Sequence, residues 1–372
     1  MPPRQREHLR RLAPYEWETS ASDLAAALGI PESAVIRFDT NTTPWPPVAW
    51  EQTVLDLARL PANEYPHPSN EPLRSALAQR EGLEPQRVIV TSGADEALNL
   101  VATVYLGPER RAVVADPSFS MFRVSTETVG GTILPVAVDE RWDLPTAALL
   151  QAVRQPGVTV AWLCSPNNPT GRELDPAVVE QVACEAPDVL VVLDEAYYEV
   201  GGTTQAHLLA RCPNLLIIRT FSKGYGLAGA RVGYAMGAAP MVRALEAVRP
   251  PQNMTTFGIS AACRALADQV GLAQRVAAIR GERDRLGDAL QARGWEIVPS
   301  VANFLLARPP VSAPILAAWL QAAGLVVRSY PSHPRLKDWL RITVRAPEED
   351  AGLLERCDAY RADPLPGLVL ED

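Results

Sequence analysis

Short, unbroken apolar runs punctuate the middle of this chain, and each is followed by a stretch where apolar residues recur at helical spacing. The runs at residues 87–91, 112–115, 158–163, 189–193 and 215–218 carry Val, Ile and Leu without polar alternation. That pattern predicts strands covered on both faces. Residues 95–101 predict a helix after the first run, and another follows the second and stops at Gly130 and Gly131. Strand–helix alternation of this kind implies an α/β unit on a mostly parallel central sheet. From Met241 the pattern turns helical, with a long amphipathic stretch over 272–293. Two strand pairs with a helix between them follow, at 295–307 and 325–344. The expected organisation is a large unit over residues 41–240 and a smaller α+β unit over 241–372. An N-terminal segment, residues 1–40, is expected to join the smaller unit.

Composition narrows the class. A chain of 372 residues suits two cores better than one. The net charge of −8 argues against nucleic acid or an anionic membrane as the main partner. Arginines near the N-terminus are not followed by an apolar run, so neither a secretory leader nor a membrane span is expected. The cysteines (Cys164, Cys184, Cys212, Cys263 and Cys357) are scattered and odd in number, and the histidines show no ligand spacing. No disulfide framework and no metal is expected, and a cytoplasmic location fits.

Four segments with chemical potential fall at the C-terminal ends of expected strands, where open α/β sheets hold their ligands. Thr91-Ser-Gly-Ala-Asp-Glu96 is a glycine turn entering a helix, whose free N–H groups suit a phosphate; read alone it is only a turn. Ser165-Pro-Asn-Asn-Pro-Thr-Gly171 is a stiff loop able to present an amide, or simply a proline turn. Asp194-Glu-Ala-Tyr197 ends an apolar strand in a carboxylate, which could equally cap a helix. Thr220-Phe-Ser-Lys-Gly-Tyr-Gly-Leu-Ala-Gly-Ala-Arg231 sets a lysine in an apolar, glycine-rich segment, where burial lowers its pKa and makes it a nucleophile.

Together the four fit pyridoxal 5′-phosphate. That cofactor needs a lysine amine, an acid beside its ring nitrogen, donors to its ring hydroxyl oxygen, and a phosphate cup of helix N–H groups, hydroxyls and arginine. The same segments, in this order, resemble the fold-type I, class I/II aminotransferases, and within them those acting on histidinol phosphate. The resemblance extends from Leu12-Ala-Pro-Tyr-Glu16 through Tyr65-Pro-His-Pro68 to Leu340-Arg-Ile-Thr343.

The resemblance implies roles for individual residues. Lys223 would carry the cofactor covalently and then shuttle the substrate Cα proton. Asp194 would pair with the ring nitrogen, and Asn168 and Tyr197 would contact the ring hydroxyl oxygen. Ala94, Asp95, Thr220, Ser222 and Arg231 would form the phosphate cup. Phe122 would stack on the ring, where the family usually has tyrosine. Tyr65 would reach the cofactor of a partner subunit, so a homodimer is implied. Tyr15, Asn41, Arg328 and Arg341 would meet the substrate.

The activity implied is transfer of an amino group from histidinol phosphate to 2-oxoglutarate in histidine biosynthesis. Threonine-phosphate decarboxylases and aromatic or other amino-acid aminotransferases share these motifs and stay open as alternatives. The chain departs from the family pattern at Thr42 and Thr43, at Gln252, and at Arg345, which adds a cation near Arg341 in sequence. These changes bear on the substrate pocket and leave the cofactor motifs intact.

Overall fold

The computed structural model describes residues 6–10, 12, 19–47 and 50–362. In chain order its first strands are β1 (Ile36–Arg37), β2 (Val88–Thr91), β3 (Arg111–Asp116), β4 (Thr132–Ala137) and β5 (Val158–Cys164). Next come β6 (Leu190–Asp194), β7 (Leu215–Thr220) and β8 (Gly233–Met236). The C-terminal part adds β9 (Glu296–Val298), β10 (Phe304–Arg308), β11 (Leu325–Val326), β12 (Arg328–Ser329) and β13 (Leu340–Thr343).

Seven strands form the large sheet in the order β2-β8-β7-β6-β5-β3-β4. Only β8 runs against its neighbours; the β7, β6, β5, β3 and β4 ladders are parallel. This is the α/β, mostly parallel architecture that the unbroken apolar runs imply. Alternate residues of each run face opposite layers. Val191, Leu193 and Ile217 join one apolar cluster, while Val192, Leu216 and Ile218 join the other. Each such side chain contributes ~1.5–3 kcal/mol when fully buried.

Two strands escape the sequence pattern. β4 is an edge strand with a largely exposed face and a proline at position 135; edge strands tolerate both because one side of the ladder is free. β8 is short and opens on Gly233, which lies so close to β2's following turn that a Cβ there would stand 2.5 Å from the Gly93 carbonyl carbon.

A second, antiparallel sheet has the order β12-β13-β10-β9. Its core gathers Leu286, Leu305, Leu316 and Leu340 with Phe38. Phe38 arrives from the N-terminal segment because β1 pairs in parallel with β11. The backbone of Thr343 then donates to Phe38 O at 2.7 Å. The apolar cluster under the large sheet runs on through Ile259 and Leu272 to Val276, past the sequence boundary expected at 240.

Candidate active site

A cavity of ≈ 470 Å³ opens where β3, β5, β6 and β7 end, and Asp116, Cys164, Asp194 and Thr220 all line it. The wall across from the large sheet is made by residues 39–41 and by Arg328 and Arg341 of the small sheet.

Lys223 stands three residues beyond β7, on the cavity wall. Its Nζ is 3.4 Å from Thr40 O and 5.6 Å from the centre of the Tyr197 ring. Burial pushes its amine down to about 8; Arg341 adds to the shift, and Asp95 and Asp194 oppose it. More of the free base is therefore available at neutral pH than an exposed lysine offers.

Asp194 closes β6 and is 2 % exposed. One carboxylate oxygen accepts from Ala196 N at 2.9 Å. Burial pushes the carboxyl up to about 7, against that N–H and against Lys223. Such a carboxylate is stable as an anion only if a cation or N–H donor reaches it. Beside it, the buried Tyr197 hydroxyl accepts from Asn41 Nδ2 at 3.0 Å, and burial raises its pKa.

The helix Gly93–Tyr105 begins at the same edge, and its N-cap residue Ser92 makes no side-chain cap. Glu96 reaches back instead and accepts from Ser92 N at 2.5 Å, satisfying one backbone donor at the helix start. Arg231 lies across this terminus: Nη2 is 3.2 Å from Asp95 Oδ2 and Nη1 is 3.5 Å from Ser222 Oγ. Thr220 Oγ1 donates to Ser222 Oγ at 2.9 Å. Gly93 has φ +75°, and a Cβ there would meet Arg231 Nη2 at 2.5 Å. The glycine is thus needed both for its backbone angle and for the arginine to pass. Helix N–H groups, two hydroxyls and a guanidinium converge on one point, a donor set suited to a phosphate dianion.

Arg328 and Arg341 are register partners on β12 and β13, so their side chains share a face. Arg341 is 8 % exposed. Its Nη1 donates to Asn168 Oδ1 at 2.8 Å, and its Nη2 donates to Asp39 O. Its Nε has no hydrogen-bond partner among the described residues. The Arg328 guanidinium lies 5.8 Å from the centre of the Tyr330 ring.

Ala94, Asp95, Asn168, Asp194, Tyr197, Thr220, Ser222, Lys223 and Arg231 thus meet at one cavity, with Asn41, Arg328 and Arg341. Phe122 does not. It is fully buried and stacks on Trp162 at 5.4 Å and 8°, because the helix Ser120–Thr128 turns that face toward the sheet. Phe119, three residues earlier, lines the cavity instead, which corrects the expectation of stacking by Phe122. Tyr65 is 84 % exposed and lies away from this cavity. Tyr15 falls outside the described residues.

The departures from the family pattern also find places. Arg345 turns onto its own helix, with Nη2 3.1 Å from Glu349 Oε1, and does not line the cavity. Thr43 Oγ1 donates to Trp45 O at 3.2 Å, and Thr42 Oγ1 is 3.0 Å from Thr40 Oγ1. Sequence reasoning missed Asp116 at the end of β3, and Phe119, Tyr330 and His333, which line the cavity from the connections between elements.

These residues fit pyridoxal phosphate by the chemistry of their donors. The buried acid makes no ion pair among the described residues, the amine has a depressed pKa, and the phosphate cup has clearance only because position 93 is glycine. Comparison with known proteins agrees. A model of the family "Aminotransferase class I and II" matches residues 33–359. The chain is 33 % identical to a histidinol-phosphate aminotransferase of Roseiflexus castenholzii, over 94 % of this chain and 96 % of that one. It is 35 % identical to histidinol-phosphate aminotransferase 1 of Thiobacillus denitrificans, over 94 % and 91 %. Among solved structures, the Sinorhizobium meliloti histidinol-phosphate aminotransferase in complex with pyridoxal-5′-phosphate superposes with a TM-score of 0.86 at 26 % identity, covering 96 % of this chain and 98 % of that one.

Proposed function

Because this chain belongs to the class I and II aminotransferases and is pyridoxal-phosphate-dependent, we propose that it transfers the amino group of histidinol phosphate to 2-oxoglutarate. The observation that carries the choice of substrate is the register pair Arg328 and Arg341. Both guanidinium groups line the cavity from one face of the small sheet, and planar guanidinium forks suit phosphate and carboxylate alike. One site can then serve the phosphate of the amino donor and a carboxylate of glutamate or 2-oxoglutarate. The names of the relatives support the same reading.

Bound here, the cofactor supplies an electron sink for the pair left at the substrate Cα. The residues do the rest. Lys223 would hold the cofactor through its amine and would serve as the base that moves the substrate Cα proton. Asp194 keeps the ring nitrogen protonated. Asn168 and Tyr197 donate to the ring hydroxyl oxygen, and Phe119 covers the ring in place of Phe122. Ala94, Asp95, Thr220, Ser222 and Arg231 would hold the phosphate, while Asn41 borders the substrate. Residues 41–240 act as the cofactor-binding unit, and 1–40 with 241–372 as the unit carrying the two arginines. Tyr65 belongs to the site of a second copy, so the working form is a homodimer, placed in the cytoplasm. Among the described residues no helix is long and apolar enough to cross a membrane.

The test is a half-reaction with the cofactor-loaded protein. Loss of the visible absorption band on adding histidinol phosphate or glutamate, with little change from phenylalanine or threonine phosphate, is the expected result. No response to histidinol phosphate, or carbon dioxide released from threonine phosphate, would sink the substrate assignment.

A further inference from the structure

The cavity that holds the arginine pair is also lined by a carboxylate with no role in the cofactor site. β3 ends at Asp116, whose side chain is 46 % exposed and faces the cavity. Its Oδ1 lies 3.3 Å from His333 Nε2. His333 Nδ1 accepts from Arg335 N at 3.3 Å, so in the neutral ring the hydrogen sits on Nε2 and is donated to Asp116. The segment holding His333 is fixed in place. Arg335 Nη2 donates to Asp139 O at 2.8 Å and its guanidinium sits 4.8 Å from the centre of the Trp142 ring. Leu336 is 2 % exposed and clusters with Trp339.

His333 uses one lone-pair direction of the Asp116 carboxylate. The remaining acceptor sites are open to a ligand that brings an N–H. The cavity thus offers the guanidinium groups of Arg328 and Arg341 from the small sheet and an oriented carboxylate at the end of β3, with Arg123 on the helix that follows. A ligand with an anion at one end and an N–H ring at the other would satisfy both. Glutamate and 2-oxoglutarate bring no N–H ring to that carboxylate.

We infer that Asp116, oriented by His333, is the subsite that accepts a hydrogen bond from the imidazole N–H of the amino donor, and so sets the preference for an imidazole-bearing substrate. The inference rests on the proposed function above.

The experiment compares two half-reactions of the loaded enzyme, with histidinol phosphate and with glutamate, in wild type, Asp116→Asn, Asp116→Glu and His333→Phe. The glutamate reaction on the same preparation reports whether each variant is folded and loaded. The ratio of kcat/KM for histidinol phosphate to that for glutamate should fall about tenfold in Asp116→Asn, the loss of one charge-assisted hydrogen bond. The fall should be smaller in His333→Phe, and Asp116→Glu should restore part of it. An unchanged ratio in Asp116→Asn, or equal losses with both substrates, overturns the subsite while leaving the transaminase reading intact. A wild-type enzyme that ignores histidinol phosphate but responds to glutamate overturns both.

Discussion

Arg341 on β13 and Asn168 in the loop after β5 meet inside the cavity, guanidinium to amide oxygen at 2.8 Å. The group assigned to the substrate anion thus leans on a group assigned to the cofactor ring. An anion arriving at Arg341 competes with, or tightens, the contact that places the Asn168 amide. Substrate binding and cofactor electronics are thereby coupled through one hydrogen bond.

Replacing Arg341 by lysine keeps the charge and loses the fork that serves both partners. The KM for histidinol phosphate should rise about 10- to 100-fold while the visible band of the bound cofactor persists. Steady-state kinetics with an absorption spectrum of the same sample checks this.

Lys223→Ala should abolish the visible band and turnover. It should also raise the melting temperature of the cofactor-free protein at pH 7. The folded amine is pushed down to about 8, so between about pH 8 and 10.5 the folded state binds fewer protons than the unfolded one. The cost of holding this lysine is full below pH 8 and fades as pH rises to ~10.5. Removing the side chain removes that cost, and thermal melts of wild type and variant at pH 7 and pH 10 read it out.

Asp194 predicts a slope of the opposite sign. Its carboxyl is pushed up to about 7 by burial. Between about pH 4 and 7 the folded cofactor-free protein keeps a proton that the unfolded chain has lost, so its stability falls as pH rises through that window. A cationic ring nitrogen reverses the preference. Stabilisation by added pyridoxal phosphate should therefore be larger at pH 7.5 than at pH 5.5, and Asp194→Asn should flatten the difference.

Glu199 offers a control outside the cavity. Both its carboxylate oxygens are buried with no hydrogen-bond partner among the described residues, and burial pushes it up to about 8 against the pull of Arg219. Glu199→Gln should gain on wild type in melting temperature as pH rises from about 4.5 to 8. It should leave the cofactor's absorption band in place.

Gly93→Ala forces a Cβ to within 2.5 Å of Arg231 Nη2 at a backbone angle of φ +75°. Strain of about 1–3 kcal/mol corresponds to a cofactor affinity roughly ten- to a hundredfold weaker. Titration of the cofactor-free variant with pyridoxal phosphate measures it.

Lys223 and Asp194 were legible in the sequence because each sits at or just past the end of an unbroken apolar run, and strand ends of a parallel sheet converge; Arg231 was legible because it closes the glycine-rich segment that follows Lys223. Phe119 and Phe122 are three residues apart, and the choice between them was not legible. It depends on where the helix Ser120–Thr128 begins and on Trp162, which takes Phe122 as its stacking partner. Asp116 and His333, 217 residues apart, are brought together where Leu336 and Trp142 share one cluster, which no local pattern encodes. β4 and β8 stayed hidden for a different reason. One is exposed and the other is short, so neither shows the continuous apolar signal of a central strand.

Asn41 is tied to the far end of the chain. Its backbone N–H donates to Thr343 Oγ1 at 3.0 Å, and its carbonyl accepts from Asn303 Nδ2 at 3.0 Å. On a ribosome these partners emerge long after it. At about 5–20 residues per second, Thr343 follows Asn41 by some tens of seconds. A nascent chain therefore carries Asn41 through most of its synthesis without the strand that fixes it, and the wall facing the large sheet is among the later parts of the cavity to be assembled.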